Sequence, residues 1–309
     1  MLKQFLAVVV IVPGLFSFAE AQEPDQAREH FNRATQRYNK GDFEGAIAEF
    51  TRVIVLSTGH IRTQQDVQTR FTSDSSGSDP IRFVGPLLAS AYGNRGVARY
   101  KTGDIRGALE DCDQAISLNP GMAEMYNNRG LIRWKGGDLD GALADFNRVI
   151  KIRRTDAQTF DNRGEVYLDK RQYQTAEADF TQAIALNPRE PEFYYHRSQA
   201  RRKMGRMDEA LTDCDYAISA DAQSALGFFC RGTALYAKQD LAGALAGFQK
   251  AIELEPQMAA AHRNLGWVLW DLGREADSER EFAECFRLDP SSRPDLERQL
   301  RAAKAERAK

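Results

Sequence analysis

Apolar and polar positions along this 309-residue chain follow the three-to-four-residue spacing of amphipathic helices, and the whole pattern recurs. The triplet Asn-Arg-Gly begins at Asn94, Asn128 and Asn162, so each copy follows the last after 34 residues. The same step leads on to His196, Cys230 and Asn264, and it separates a column of alanines: Ala108, Ala142, Ala176, Ala210 and Ala244. A period of this length predicts a tandem array of helix-turn-helix units.

Each unit contains a turn signal in its middle and a helix-stopping signal at its end. Glycine permits the left-handed backbone of a tight turn, and proline cannot continue a helix. The predicted turns are at Gly41-Asp42, Gly103-Asp104, Gly137-Asp138, Gly205 and Gly273, and the closing prolines are Pro120, Pro188, Pro256 and Pro290. A core column is predicted at Phe50, Cys112, Phe146, Phe180, Cys214, Phe248 and Phe282.

These motifs resemble the tetratricopeptide repeat family, whose Trp/Leu-Gly-Tyr…Ala…Phe…Ala…Pro pattern is matched most fully from Ala225 to Pro256 and from Ala259 to Pro290. The resemblance implies an all-α fold, a right-handed superhelical solenoid of seven helix-turn-helix repeats with a C-terminal capping helix. The chain departs from the family pattern where arginine replaces the usual leucine, at Arg95, Arg129, Arg163, Arg197 and Arg231. We expect this departure to change local packing and to leave the fold intact.

The segments outside the repeats have their own composition. A basic start, an apolar run and a small-x-small end predict a secretory signal peptide. An insertion at 59–88 separates the first repeat from the second. It is rich in Ser, Gly and Asp, and we interpret it either as a tolerated surface loop or as a partner-specific element. The predicted organisation is a signal peptide at 1–21, a leader and first repeat at 22–58, a flexible insertion at 59–88, six tandem repeats at 89–290 and a capping helix at 291–309.

Composition argues against several classes of function. The chain has 42 basic and 44 acidic residues, a net charge of -2 that does not favour binding to nucleic acid. Its four cysteines lack paired spacing, so we expect core residues rather than a disulfide framework, with Cys230 the most exposed. The four histidines show no metal-ligand spacing. We therefore expect no cofactor, no metal and no catalytic centre.

The triplet arginines are predicted to be structural. In five repeats an acid follows the arginine, or its equivalent, by 16 residues, which places it on the second helix of the same unit. An unpaired charge near the packing face is unfavourable, so we expect ion pairs. The pairs are Arg33 with Glu49, Arg95 with Asp111, Arg129 with Asp145, Arg163 with Asp179, and Arg197 with Asp213. Arg231 instead faces Gly247 and is expected to be available to a ligand.

The asparagine column carries the functional expectation. In the family this face lines a concave groove, and its amides hold the backbone of an extended peptide because an amide both donates and accepts. The alternative is that these amides are solvated or hydrogen-bonded within the helix layer. The predicted peptide-binding residues are Asn94, Asn128, Asn162, His196, Asn264, Lys101, Trp134, Lys135, Arg231, Tyr236, Trp267 and Trp270.

Charge along the same face is uneven. An acidic middle predicts a bound segment of basic character, and it consists of Glu124, Asp161, Glu165, Asp169 and Glu192, whereas Arg202, Lys203 and Arg263 lie further along. The sequence therefore predicts a non-catalytic protein-protein interaction adaptor, periplasmic or secreted, that binds protein or peptide and does not insert into the membrane after signal cleavage. The alternative is a structural assembly or secretion-complex component of the cell envelope that uses its convex face and insertion.

Overall fold

The computed structural model describes residues 22–58 and 81–307, and every regular element in these ranges is helical. The predicted signal peptide and residues 59–80 of the predicted insertion lie outside the described residues. The α-helices are α1 (Gln22–Asn39), α2 (Phe43–Thr58), α3 (Ile81–Thr102), α4 (Ile105–Leu118), α5 (Ala123–Lys135), α6 (Leu139–Ile152), α7 (Ala157–Asp169), α8 (Tyr173–Leu186), α9 (Pro191–Lys203), α10 (Met207–Ala220), α11 (Ala225–Ala237), α12 (Leu241–Leu254), α13 (Ala259–Asp271), α14 (Glu275–Leu288) and α15 (Arg293–Arg307).

The helices belong to two compact units that divide between Thr155 and Asp156. In the first unit α1 packs on α2, α3 on α4, and α5 on α6. In the second unit the pairs are α7 with α8, α9 with α10, α11 with α12, and α13 with α14. These seven pairs are the predicted helix-turn-helix repeats, which confirms the all-α fold class. Among the described helices none has the length and apolarity needed to cross a bilayer.

The turns within the pairs are where the glycines predict them. Gly41, Gly103, Gly137, Gly205 and Gly273 have φ between +75° and +87°, a region that residues with a Cβ rarely adopt. Two repeats make the same turn without glycine, with Arg171 at φ +58° and Gln239 at φ +62°.

The triplet glycine is required by the aromatic core. A Cβ on Gly164 would lie 2.6 Å from the Phe180 ring, and the equivalent distance from Gly266 to Phe282 is also 2.6 Å. The first helix therefore approaches the second closely enough to pack its backbone on the ring. In the fifth repeat Ser198 replaces the glycine, and the core column holds the smaller Cys214.

The start of α3 differs from the predicted boundary, and the structure shows how the C-terminal helix packs. Helix α3 begins at Ile81, so residues 81–88, predicted to be part of a flexible insertion, are helical. At the other end α15 covers the last repeat, as predicted for a capping helix. Leu296 is buried there with Phe282 and Cys285, and Leu300 packs against the same cluster.

The expectation that the cysteines form no disulfide is wrong. Cys214 of α10 and Cys230 of α11 are joined by a disulfide, with Cα atoms 5.3 Å apart and a sequence separation of 16. Cys230 is also buried rather than exposed. The asparagine column passes directly beside the core column of the preceding repeat, so a cysteine in each can bond. Cys112 and Cys285 are buried free thiols, as expected for core residues.

Candidate functional site

The triplet arginines pair with the predicted acids in all five repeats. The closest nitrogen-oxygen distances are 3.4 Å for Arg33–Glu49, 2.7 Å for Arg95–Asp111, 2.5 Å for Arg129–Asp145, 2.6 Å for Arg163–Asp179 and 2.7 Å for Arg197–Asp213. Four of these pairs use two guanidinium nitrogens, the geometry that suits a carboxylate best. In these five repeats the column holds the two helices together, which is the structural role expected of it.

The asparagine column is less accessible than the sequence suggests. The exposed fraction is 2% for Asn94, 0% for Asn128 and 3% for Asn162. Both amide atoms of Asn94 and Asn128 are buried without a hydrogen-bond partner, and the Asn162 amide oxygen accepts from Gln158 Nε2 at 3.2 Å. The expectation of a row of open amides is therefore wrong for these three residues, because neighbouring side chains close over them. Asn264 remains partly exposed.

The aromatic candidates divide in the same way. Trp134 and Trp270 are buried, so they are not surface contacts. The Lys135 ammonium lies 4.6 Å from the centre of the Trp134 ring, and the Arg307 guanidinium of the capping helix lies 4.3 Å from that of Trp270. Each tryptophan ring therefore makes a cation–π contact with a neighbouring side chain of the same chain.

Trp267 and Tyr236 are partly exposed. The Trp267 ring meets the Phe282 ring edge to face at 5.2 Å. The Tyr236 hydroxyl donates to Asp271 at 2.6 Å, and burial together with this carboxylate raises the pKa of Tyr236. Each of these two side chains is held in position by a neighbouring group and still exposes part of its surface to solvent.

The remaining predicted cations lie at the surface. Lys101, Lys135 and Arg231 are exposed. Arg231 has no acid at the position used in the other repeats, and its Nε lies 3.7 Å from Asp215 instead. A contact of this length between exposed groups contributes little, so the Arg231 guanidinium stays accessible.

A basic spot on the first helices was not among the predicted binding residues. It consists of Tyr195 and Arg202 on α9 and Arg263 on α13, where both arginine charges act on the Tyr195 hydroxyl. Burial lowers the pKa of Arg202, and among the described residues Tyr195 opposes this effect but no carboxylate does. Burial raises the pKa of Tyr195, and the negative charge of Glu165 adds to that rise, while the positive charges of Arg202 and Arg263 counter it. The repeat period gives the signal that was missed, since Tyr195, Phe229 and Arg263 occupy equivalent positions.

A second cluster joins two repeats through His196. Its Nδ1 lies 2.8 Å from Asp161 Oδ1, its Nε2 lies 3.5 Å from Glu165 Oε1, and all three residues are buried. Burial lowers the pKa of His196, but the two carboxylates outweigh it and raise the pKa to about 10. Metal-ligand spacing along the sequence does not reveal this group, because His196 lies one repeat after the helix that carries the two acids. His196 is 34 residues after Asn162, whose helix carries both acids.

Comparison with known proteins agrees with this architecture. The sequence matches the family described as Tetratricopeptide repeat over residues 94–157 and 162–225, and the family described as TPR repeat over residues 232–273. No curated protein matches the sequence significantly.

Several solved structures share the fold. A tetratricopeptide repeat protein from Parabacteroides merdae has a TM-score of 0.70 at 17% identity, over 90% of this chain and 98% of that one. The C-terminal part of a TPR repeat-containing protein from Cytophaga hutchinsonii has a TM-score of 0.55 at 15% identity, over 86% and 98%. The Cut9-Hcn1 hetero-tetramer of the APC/C gives 0.58 at 12% identity, over 89% and 54%. With its period, its paired helices and these matches, the chain belongs to the tetratricopeptide repeat family.

Proposed function

We propose that this protein is a non-catalytic interaction adaptor that binds an extended peptide, or an extended segment of a partner protein, on the first helices of its repeats. In the second unit α9 contacts both α7 and α11, and α11 contacts α13. Equivalent side chains therefore recur along neighbouring helices, as a chain-like ligand requires. We call the surface formed by Tyr195, Gln199, Arg202, Arg263 and Trp267 the first-helix face.

The observation that carries the proposal is the partly buried Arg202 guanidinium, which has no carboxylate partner among the described residues. A guanidinium that is partly removed from water loses hydration, and a carboxylate in bidentate contact restores that interaction. Most other partly buried arginines of the described chain already have such an acid, as Arg163 has Asp179. The basic spot is therefore suited to an aspartate, a glutamate or a C-terminal carboxylate of the partner.

Aromatic groups beside the charge supply apolar contact. Tyr195 is partly exposed and its ring centre lies 6.0 Å from that of Phe229, so its position is fixed. Trp267 lies one helical turn from Arg263 on α13. Tyrosine, tryptophan and arginine are the residues that dominate protein-protein binding energies. Asn264 and Tyr236 extend the proposed surface, whereas Arg231 is directed toward Asp215 of α10.

The expected bound segment thus changes in chemical character. The sequence favoured a basic segment because of the acidic middle, but two of those acids, Asp161 and Glu165, face His196. Among the described residues neither Arg202 nor Arg263 forms an ion pair, although the charge of Glu165 also reaches Tyr195. We propose that an acidic group of the partner binds here, while Glu192, which is exposed, remains available to a basic neighbour in the same segment.

The proposal is tested by partner capture with Arg202→Gln. Affinity-purified partners identified with the wild-type chain are retested with the variant and with Arg189→Gln, an exposed arginine outside the helices. We expect Arg202→Gln to weaken binding at least tenfold, or about 1.4 kcal/mol, and Arg189→Gln to leave it unchanged. Equal binding by both variants would contradict the proposed site.

A second candidate is an envelope assembly component that uses the second helices. Tyr216 on α10 favours it, because a large aromatic side chain is 55% exposed there and its ring centre lies 5.8 Å from that of Tyr194. Tyr216→Ala separates the two functions. Loss of capture in this variant, with Arg202→Gln unaffected, would establish the second-helix surface instead.

We also propose that the chain is exported, to the periplasm or beyond. The predicted signal peptide motivates this, and the Cys214–Cys230 disulfide supports it, since disulfides persist mainly in oxidising compartments. N-terminal sequencing of the mature protein should begin near Gln22. An intact Met1 terminus in the reducing cytosolic fraction would contradict export.

A further inference from the structure

We propose that Glu165 and His196, with Asp161 orienting the histidine, bind a divalent transition-metal ion, for which Zn²⁺ is the representative. Asp161 and Glu165 are four residues apart on α7 and share one face of that helix. His196 reaches them from α9. The ligand atoms that these side chains offer all lie within 4.8 Å of one another, and all three residues are buried. No part of this inference depends on peptide binding by the first-helix face.

The hydrogen bond from His196 to Asp161 fixes the imidazole. With Nδ1 donating to Asp161 Oδ1 at 2.8 Å, Nε2 is directed toward Glu165 Oε1 at 3.5 Å. A metal-bound histidine commonly donates its second nitrogen to a carboxylate in this way, which sets the tautomer and raises the basicity of the ligand. Asp161 also accepts from Gln158 Nε2 at 3.3 Å, so its own orientation is supported.

The distance between Nε2 and Oε1 fits a tetrahedral ion. Zinc lies about 2.0–2.1 Å from a histidine nitrogen and about 2.0–2.2 Å from a carboxylate oxygen, so spanning the 3.5 Å gap gives an N–Zn–O angle of about 115°. Binding replaces the proton on Nε2, which is released to solvent. His196 and Glu165 are the direct ligands, Asp161 positions the histidine, and water fills the remaining coordination positions.

The charge of the cluster favours a cation. Asp161 and Glu165 are both buried, and the field of Glu192 also reaches His196. A singly charged imidazolium offsets only part of this negative charge, whereas a divalent ion offsets more of it. The imidazole ligand favours zinc, nickel or cobalt over magnesium and calcium, which prefer oxygen alone. The bound ion would join α7 to α9, and hence the fourth repeat to the fifth.

The test is isothermal titration of the untagged, disulfide-intact chain with ZnCl₂. We expect one ion per chain, and we expect binding to weaken at least a hundredfold in His196→Asn and in Glu165→Gln. Asparagine at 196 is the residue of the equivalent column in other repeats. Asp161→Asn should weaken binding by roughly 10- to 100-fold, as expected of a group that orients a ligand.

His262→Asn is the matched control. His262 also bonds a carboxylate through Nδ1, Glu281 at 2.7 Å, but its Nε2 faces the Pro256 carbonyl oxygen at 3.0 Å. Zinc binding should survive this change. Circular dichroism of the metal-free variants verifies that each remains helical.

Two results would overturn the inference. One is the absence of zinc binding by the wild-type chain at micromolar concentration, and the other is binding that persists in both His196→Asn and Glu165→Gln. X-ray absorption on the zinc-loaded wild-type chain decides the question without any variant. We expect one imidazole and otherwise oxygen around the ion, and sulfur in that shell would place the zinc on cysteines instead.

Discussion

Removing Arg163 should destabilise the protein more than removing Arg129, although Arg129 pairs with both Asp113 and Asp145. Asp179 has Arg163 as its ion-pair partner, with 8% of the carboxylate side chain and 18% of the arginine exposed. Asp145 is contacted by Arg129 and also by Arg133, whose Nη1 lies 2.8 Å away. The fourth repeat has Tyr167 at the position equivalent to Arg133. Arg163→Met therefore leaves a buried carboxylate alone, whereas Arg129→Met does not.

The expected magnitudes follow from that difference. Removing one partner of a buried pair typically costs about 3–5 kcal/mol, and the partial exposure of Arg163 reduces the expectation for Arg163→Met to about 2–3 kcal/mol. Asp145 keeps a cation in Arg129→Met, so we expect about 1 kcal/mol, the scale of a partly exposed pair. Adding Asp179→Asn to Arg163→Met removes the stranded charge and should recover part of the loss.

Urea unfolding followed by circular dichroism at 222 nm measures all three variants against the wild-type chain. Near-ultraviolet spectra of the folded variants serve as the control for native packing. If Arg129→Met proves as destabilising as Arg163→Met, or if Asp179→Asn worsens the loss, then the stranded-carboxylate reasoning is wrong.

Three further predictions concern the core, the disulfide and the loss of folding stability in acid. Gly164→Ala should lower the urea midpoint, because overpacking against the Phe180 ring costs about 1–3 kcal/mol. Gly136→Ala, whose new Cβ meets nothing closer than 3.4 Å, should be neutral or stabilising. Equal effects of the two substitutions would contradict the close packing. Reduction should destabilise the chain by about 3 kcal/mol, the chain-entropy value for a loop near 15 residues, and thiol titration of the unfolded, unreduced chain should find two thiols; four would contradict the disulfide. Burial raises the pKa of Glu177, but Arg201 and Arg206 outweigh it and lower the pKa. Its stabilising effect is therefore present above the ordinary value of 4.5 and is lost as the pH falls through the folded-state value, so Glu177→Gln should be less stable at pH 7 and converge with the wild-type chain in acid; a constant gap across this pH range would refute the assignment.

The repeat period was enough to predict the fold and its internal ion pairs. A 34-residue step fixes which residues share a helix face, and the glycine turn fixes how the two helices of a repeat meet. The pairing of Arg129 with Asp145 follows from these two facts alone. Such contacts are local, within one hairpin, and so they are encoded within one period.

Contacts between repeats were harder to predict. The period predicts which face of the first helix carries Asn128. Whether that amide is exposed depends on how closely the neighbouring repeat packs, and in the structure the amide is buried. The same neighbour contacts bring Cys230 to Cys214 and His196 to Asp161. These partners depend on how closely successive hairpins stack, which is set by side-chain volumes across the interface rather than by spacing along the chain.

Site-specific photocrosslinking in the native cell tests the proposed function most directly. Benzoylphenylalanine is placed at Gln199, which lies on α9 between Tyr195 and Arg202, or at Tyr216 on α10. We expect a partner crosslink from position 199 that disappears when Arg202→Gln is added, and none from position 216. A crosslink from position 216 alone would contradict binding on the first-helix face.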